Sequence, residues 1–284
     1  MMEPVGLIAA AGRFPVAFAT KARQIGLPVV CVGLRHLAPP DLASLCDRFH
    51  WHGLAKLGAV IRRFKSAGVR EIVMAGKIHK TELLKPWRVV QLMPDWRGIQ
   101  FWYSRTRRDN KDDTLLLGVI AEFERDGLRI GSALDYCPEL LVRHGQLSRR
   151  PVTAHETQDI AFGWELAKEM GRLDVGQSVA VHDRAVLAVE AIEGTDQAIL
   201  RAGKLCRGGG FTVVKVAKPQ QDMRFDVPTI GTTTIESMRT AGARVLAIEA
   251  GKTILLDEAD TLALADRYGI SIVAVDAGVL ARAA

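Results

Sequence analysis

The sequence predicts an α/β protein made of two domains. The chain has 284 residues, a length that favours two modest domains over one. Short apolar runs alternate with stretches of helical periodicity in both halves, which is typical of strands joined by crossover helices. A segment over residues 134–150, rich in turn-forming and basic residues, predicts a linker between the halves.

The first domain, residues 1–133, is expected to be Rossmann-like, with a parallel sheet that binds a nucleotide. Apolar runs bounded by glycine predict strands at Val5–Ala10, Pro28–Leu34 and Glu71–Ala75. Stretches of helical spacing predict helices at Pro15–Gln24, Leu54–Ala67 and Asp112–Asp126. Because strands and helices alternate, the strands are expected to run parallel.

The second domain, residues 151–284, is expected to have mixed α/β structure. Predicted strands lie at Ser178–His182, Val186–Ala191, Thr212–Val216, Val245–Glu249 and Ser271–Asp276. Predicted helices lie at His155–Met170, Thr195–Ala202, Thr233–Thr240 and Glu258–Tyr268.

A small-residue turn follows the first predicted strand, with Ala10, Gly12 and Arg13 just before a helix. Such a turn lets backbone N–H groups approach a phosphate at the helix N-terminus. Lys77 ends the third predicted strand and is expected to face the same crevice. A nicotinamide cofactor is a poorer fit, because the glycine fingerprint is incomplete and Arg35, not an acid, follows the second strand.

The segment from Asp222 to Val227 alternates between polar and apolar residues. As an extended strand it would bury Met223, Phe225 and Val227 and present Asp222, Arg224 and Asp226 to a cleft. A carboxylate pair of this kind can hold Mg²⁺ against phosphate oxygens or orient an attacking water. A solvent-facing, ion-paired edge strand would produce the same alternation.

Two further turns supply polar groups to the second domain, near Lys215 and Lys218. Thr195 is the expected N-cap of one helix, with Glu190 and Asp196 close by. Thr233 and Glu236 have the spacing of a capping box at a second helix. Together these turns favour a metal-assisted phosphoryl site over purely structural caps.

The net charge of +6 is concentrated between Lys85 and Lys111, where seven basic residues stand against two acidic ones. Three of the five tryptophans lie in the same segment. Cations interleaved with aromatic residues suit an anionic membrane surface or a nucleic acid. No apolar run approaches the roughly 20 residues that a membrane-spanning helix needs. The four cysteines are widely spaced, which indicates buried free thiols in a reducing cytosol.

Several motifs give the chain a resemblance, almost end to end, to the UDP-2,3-diacylglucosamine pyrophosphatases of lipid A biosynthesis, the type unrelated to calcineurin-like phosphoesterases. The motifs of the first half are Gly6-Leu-Ile-Ala with Gly12-Arg13, Val73-Met-Ala-Gly76-Lys77, and Asp112-Asp113 opening a Leu-rich helix. Those of the second half are Leu173-Asp-Val-Gly-Gln177, Val189-Glu-Ala-Ile-Glu-Gly-Thr-Asp196 and Lys218-Pro-x-Gln-Asp222-x-Arg-x-Asp226-x-Pro228. The sequence departs from the family at Ala10-Ala11, where the turn is usually glycine-rich.

The resemblance implies a Mg²⁺-dependent hydrolase that releases UMP and 2,3-diacylglucosamine 1-phosphate (lipid X). It further implies a nucleotide-binding first domain, a lipid-binding second domain and a homodimer on the inner face of the cytoplasmic membrane, with no nucleic-acid partner.

Residues and resemblance together predict three sets of site residues. The expected catalytic residues are Asp226, Asp222, Lys215, Lys218 and Arg224. The expected metal ligands are Asp226, Asp222 and Glu190. The expected substrate-binding and nucleotide-binding residues are Ala10, Gly12, Arg13, Lys77, Asp112, Glu190, Thr195, Asp196 and Thr233. Two other functions stay open on the sequence, a nicotinamide-dependent oxidoreductase and a non-catalytic sensor of sugar nucleotides or lipids.

Overall fold

The computed structural model describes residues 2–78, 93–103, 112–276 and 278, and it consists of two compact units that meet between Cys137 and Pro138 in the chain. The expected two-domain α/β architecture is confirmed. No helix among the described residues is both long and apolar enough to cross a bilayer.

The first unit is built on a sheet whose described strands all run parallel. Across the sheet these strands are β3 (Arg48–His52), β2 (Val29–Leu34), β1 (Val5–Ala9), β4 (Glu71–Ala75) and β5 (Arg129–Gly131). In the central strand, Leu7 pairs with Cys31 on one side and Val73 on the other. The predicted parallel sheet of the first domain is therefore confirmed.

Helices of the first unit cover this sheet and complete its core. They are α1 (Phe14–Gln24), α2 (Leu42–Leu45), α3 (Leu57–Ser66), α4 (Trp96–Tyr103) and α5 (Asp112–Arg125). Phe18 of α1, Phe64 of α3 and Phe123 of α5 are each at most 1% exposed. Burying one such ring stabilises the fold by about 1.5–3 kcal/mol. Phe64 can pack directly on β1 because Gly6 has no Cβ, which would lie 2.9 Å from the ring.

The second unit contains a six-stranded mixed sheet among its described residues. Its strands, in order across the sheet, are β6 (Gly145–Gln146), β13 (Ser271–Val275), β11 (Val245–Glu249), β9 (Thr212–Lys215), β7 (Ser178–His182) and β8 (Ala185–Val189). β9, β11 and β13 are parallel, whereas β6, β7 and β8 each run antiparallel to a neighbour. A separate parallel pair joins β10 (Thr229–Ile230) to β12 (Ile254–Leu255).

Helices lie on both faces of the second sheet. They are α6 (Ala154–Arg172), α7 (Thr195–Leu205), α8 (Thr232–Ala241) and α9 (Glu258–Tyr268). Successive strand residues point to opposite faces. Val214 accordingly packs with Trp164 of α6, while Val213 packs with Ile199 of α7 and Met238 of α8. Two apolar layers therefore stabilise one sheet.

The segment over residues 134–150 is not a simple linker, and that prediction is wrong. Val142 is 6% exposed and joins the core of the second unit, and its N–H donates to the Thr253 carbonyl. Gly145–Gln146 pairs with β13. Prolines and basic residues suggested a linker, but residues 134–137 belong to the first unit, and backbone pairing with distant strands incorporates residues 138–150 into the second.

The four cysteines are free, as expected, although only Cys31 and Cys137 are buried. Cys46 and Cys206 are half-buried.

Candidate active site

The loop that joins β9 to β10, residues 216–228, carries the predicted catalytic carboxylates. It leaves the carboxyl end of β9 after Lys215 and enters β10 at Thr229. The parallel strands β11 and β13 end at the same edge of the sheet. Ligands of open α/β sheets bind at this carboxyl edge, so the loop lies where a substrate is expected.

Within this loop, residues 222–226 form a turn, and the predicted extended segment from Asp222 to Val227 is wrong. The Asp226 N–H donates to the Asp222 carbonyl at 3.0 Å, and the Phe225 N–H donates to the same carbonyl at 3.3 Å. Asp222 Oδ1 also accepts the Arg224 N–H at 3.0 Å. Such side-chain-to-backbone bonds of Asp favour turns over strands. The apolar side chains expected in the core are only half-buried: Met223, Phe225 and Val227.

Asp222 is held by Arg224. Arg224 Nε donates to Asp222 Oδ1 at 3.0 Å, and its Nη2 donates to Oδ2 at 2.6 Å. These bonds lower the pKa of Asp222 below its ordinary value, with the Arg224 side chain as the largest cause. The pair therefore keeps Asp222 ionised and occupies both of its oxygens with a guanidinium group.

Asp226 is oriented by a neutral neighbour, Gln221. Gln221 Nε2 donates to Asp226 Oδ2 at 2.7 Å, while Gln221 Oε1 accepts the Lys218 N–H at 2.7 Å. Asp226 is half-buried. A single amide side chain thus bonds to both the start of the loop and the Asp226 carboxylate.

Lys218 reaches back to the connection between α6 and β7. Its Nζ lies 2.6 Å from Asp174 Oδ1. Asp174 has a left-handed backbone with φ of 57°, a conformation that Asp tolerates better than most residues. The ion pair draws the start of the loop towards this turn.

Lys215 lies inside the fold and is 1% exposed. Its Nζ donates to Thr195 Oγ1 at 3.1 Å and to the Thr229 carbonyl at 2.9 Å. Thr195 Oγ1 in turn donates to Glu190 Oε1 at 3.0 Å and lies 3.3 Å from Ser178 Oγ. Buried polar groups need such partners, because an unpaired one costs free energy. In the part of the chain that the structure describes, Glu190 Oε2 has no hydrogen-bond partner.

Thr195 does not cap its helix as predicted. The N-cap of α7 is Gly194, and Thr195 is the first helical residue, with its hydroxyl turned to the buried network. Asp196 follows in the first turn, where a negative charge interacts favourably with the helix dipole.

The predicted capping box of Thr233 and Glu236 is also wrong. α8 begins at Thr232 after the N-cap Gly231, which has no side chain to accept a bond, and Thr233 is exposed. A capping box forms instead at α6, between Thr153 and Glu156.

In the first unit, the predicted phosphate turn is bonded to the neighbouring strand end. The Ala10 N–H donates to the Ala75 carbonyl at 2.9 Å, and Ala11 and Lys77 exchange two backbone bonds of 3.1 and 2.8 Å. Gly76 allows this close approach, since a Cβ there would lie 2.7 Å from the Ala10 carbonyl carbon. The Ala10 N–H is therefore already bonded to the end of the neighbouring strand. Lys77 is exposed beside the turn.

Gly12 and Arg13 lie between this bridge and α1. Gly12 has φ of 102° and open space around it, and Arg13 is the N-cap of α1. Arg13 Nη1 lies 4.0 Å from Asp41 Oδ2, and both side chains are more than half exposed. Asp112 begins α5, and its side chain lies outside the described part of the structure.

The predicted magnesium ligands form no preassembled cluster among the described residues, where no three His, Cys, Asp or Glu side chains group as ligands. Asp222 is bonded to Arg224, and Glu190 is buried against Thr195. Asp226 fits best, because its bonded partner is neutral and it is not fully buried. Mg²⁺ often binds through only one or two carboxylates together with substrate phosphates.

Most of the basic segment from Lys85 to Lys111 lies outside the described residues, which include only 93–103 of it. Arg97 falls within that part. It forms ion pairs with Glu122, at 3.0 Å, and with Asp126. Its charge therefore stabilises the packing of α4 against α5.

Two family models match this chain, the LpxI N-terminal domain over residues 4–140 and the LpxI C-terminal domain over residues 143–273. The chain belongs to the LpxI family. It is 33% identical to the UDP-2,3-diacylglucosamine pyrophosphatase LpxI of Caulobacter vibrioides, over 97% of this chain and 98% of that protein.

Among solved structures, the biotin carboxylase subunit of pyruvate carboxylase is 12% identical, with a TM-score of 0.27. That match covers 74% of this chain but spans only 41% of the solved chain. A likeness this weak carries no functional conclusion. The LpxI membership agrees with the family resemblance of the sequence motifs.

Sequence reasoning assigned no role to the residues that hold the loop from outside, chiefly Lys168, Asp174 and Glu249, although Asp174 stands in one of the family motifs. Glu249 did carry a signal, because it is an acid at the carboxyl end of an otherwise apolar strand. Lys168 carried none, since a lysine on a long helix is usually a solvated residue.

Proposed function

We propose that this chain is a hydrolase that cleaves the pyrophosphate of UDP-2,3-diacylglucosamine and so acts in lipid A biosynthesis. The products would be UMP and 2,3-diacylglucosamine 1-phosphate. Support comes from the end-to-end match to a relative of that name. In the structure, the observation that carries the proposal is the Asp226 carboxylate, held by Gln221 in a loop at the carboxyl edge of the second sheet.

Asp226 is the proposed catalytic group. A carboxylate at this position would orient the attacking water and accept its proton as the new P–O bond forms and the bridging P–O bond breaks, with the other phosphate leaving on the bridging oxygen. The Gln221 amide restricts the carboxylate to one orientation, which reduces the entropy lost when water and phosphate align. Lys218 and Arg224 would offset the negative charge of the pyrophosphate, although each already pairs with an acid.

We propose Mg²⁺ as the cofactor, with Asp226 as its protein ligand and Asp222 and Glu190 as lesser candidates. A divalent cation there would shield the charge between carboxylate and phosphate and lower the pKa of a bound water.

The two units would bind different parts of the substrate. UDP would lie at the turn of the first unit, contacted by residues from the turn and its neighbours: Ala10, Gly12, Arg13, Lys77 and Asp112. The acylated sugar phosphate would lie at the second unit, near residues of its turns: Glu190, Thr195, Asp196 and Thr233. Lys77 supports the first assignment, because an exposed cation beside a helix N-terminus suits a phosphate.

We propose that the protein works as a homodimer in the cytoplasm, bound peripherally to the inner face of the inner membrane. The diacyl substrate supports this placement, since two acyl chains anchor a molecule stably in a bilayer. An anionic lipid surface is the proposed partner of the basic segment.

Purified protein incubated with UDP-2,3-diacylglucosamine and Mg²⁺ is expected to release UMP, measured by chromatography. Matched reactions contain EDTA in place of the metal, or UDP-glucosamine without acyl chains. Binding of the lipid substrate without any UMP release would overturn the proposal and favour a sensor.

A further inference from the structure

Two lysines hold the ends of the loop over residues 216–228. The ammonium group of each donates a hydrogen bond to a backbone carbonyl inside the fold. At the start, Lys168 of α6 meets Glu249 of β11, with Lys168 Nζ 2.6 Å from Glu249 Oε2. These two residues are 81 positions apart in the chain. At the far end, Lys215 Nζ bonds to the Thr229 carbonyl.

The ion pair forms hydrogen bonds with both backbone groups of one residue, Ala217. The Ala217 N–H donates to Glu249 Oε2 at 2.8 Å, and Lys168 Nζ donates to the Ala217 carbonyl at 2.9 Å. Ala217 is itself 1% exposed. Both backbone groups of this residue are therefore bonded to charged side chains, which form stronger hydrogen bonds than neutral partners do.

The pair is also well shielded and well oriented. The Glu249 side chain is 7% exposed and that of Lys168 is 23% exposed. Lys168 Nζ lies 5.3 Å from the centre of the Trp164 ring, which is itself buried. A shielded pair with these extra contacts is screened by water much less than a surface pair.

We infer that Lys168, Glu249 and Lys215 are positioning residues that hold the Asp226 loop in its reactive geometry. This inference rests on the proposed function. Ala217 precedes Lys218, whose N–H bonds to Gln221, and Gln221 orients Asp226. A continuous path of short bonds thus leads from the buried ion pair to the catalytic carboxylate. Lys215, predicted to be a catalytic residue, is 1% exposed and acts instead at the other end, through the Thr229 carbonyl.

The test compares Lys168→Met, which keeps the side chain's length but removes its charge, with Lys168→Arg and with Lys252→Met. Lys252 is the matched control, because its Nζ lies 3.0 Å from the other Glu249 oxygen but its side chain is half exposed. Lys168→Met is expected to lower kcat by about 10- to 100-fold with little change in KM, since a small misplacement of a reacting group costs this much. Lys168→Arg should restore part of kcat, and Lys252→Met should stay near wild type.

A second arm combines Lys168→Met with Asp226→Ala. If Lys168 acts through Asp226, the double variant should be little slower than Asp226→Ala alone, because residues that act as a unit have non-additive effects. A full additional loss in the double variant would overturn the inference. A Lys168→Met protein with wild-type kcat would overturn it as well.

A third arm does not depend on activity. Hydrogen exchange of the 216–228 amides in the full-length protein should be faster in Lys168→Met than in wild type or Lys252→Met. Unchanged exchange would show that Lys168 does not hold the loop in place. If the wild-type protein releases no UMP while Lys168→Met speeds exchange as expected, the proposed function fails but the role of Lys168 in holding the loop stands.

Discussion

The turn of the first unit and the Asp226 loop of the second unit lie at corresponding carboxyl edges of their sheets, but they are held in different ways. Backbone bonds between Ala11 and Lys77 hold the turn, and Gly76 makes the approach possible. Side-chain bonds from Lys168 and Lys215 hold the loop. The first arrangement leaves a fixed backbone shape, whereas the second leaves the Asp226 carboxylate, the proposed catalytic group, oriented by the Gln221 side chain.

The largest expected effect is at the loop. Asp226→Ala should lower kcat by about 100-fold or more, as for other groups that stabilise a transition state, while substrate affinity changes little. The measurement is UMP release beside equilibrium binding, with circular dichroism to check the fold. Asp222→Ala is the comparison, and its kcat should fall less, since Asp222 chiefly holds Arg224. Near-wild-type kcat in a folded Asp226→Ala protein would remove this residue from the mechanism.

At the turn, Gly76→Ala should destabilise the first unit by about 2–4 kcal/mol, through left-handed strain and overpacking. Gly76 has φ of 99°, and a Cβ would meet backbone atoms of both Ala10 and Ala11. The control is Gly12→Ala, which shares the positive φ but has open space. Chemical denaturation measures the free energy of unfolding of both variants. Equal losses in the two would show that close packing at Gly76 does not matter.

The basic segment gives the first unit a proposed second role that the loop lacks. Replacing Arg105, Arg107 and Arg108 by serine should weaken binding to anionic liposomes by about 100-fold, since each basic residue near the surface contributes about 1 kcal/mol. Higher salt should reduce the binding of the wild-type protein in the same direction. Co-sedimentation with liposomes measures the binding, and equal binding by the variant would count against a role of the segment in membrane binding. A control variant loses the same charge at three exposed arginines elsewhere: Arg70, Arg149 and Arg207.

The smallest expected effect concerns the ion pair of the loop and is measured through pH. The pKa of Asp222 is lower in the folded protein than its ordinary value of about 3.9. Its ion pair therefore stabilises the fold fully above that ordinary value, and the contribution is lost as pH falls through the lower folded pKa. Between pH 7 and pH 2, Asp222→Asn should show a shallower loss of stability than wild type. Superimposable pH profiles in urea denaturation would contradict the assignment.

Much of the fold could be predicted because local pattern and tertiary burial agree. Glu71–Ala75, Ser178–His182 and Val245–Glu249 were predicted with the bounds that the structure has. The two-residue strands, such as Gly145–Gln146, are too short for any periodicity to mark them.

The conformation of the loop was predicted wrongly, and the choice of its residues as the site stays a prediction. Six alternating residues suggest a strand, but the Asp222 side chain and carbonyl bond locally and close a turn. Thr195 and Thr233 failed as caps for a related reason. A preceding glycine occupies the cap position in each case, and the Thr195 hydroxyl is taken by buried partners.

By itself, the sequence determined the two α/β domains, the family and the segment that carries Asp226, because periodicity and motif spacing are local properties of the chain. Only the tertiary structure decided how that segment is held. Lys168, Glu249 and Ala217 meet because α6, β9 and β11 pack together, and no spacing along the chain records that contact. The burial of Lys215 was decided in the same way, since a lysine becomes a structural donor only where the fold surrounds it with acceptors.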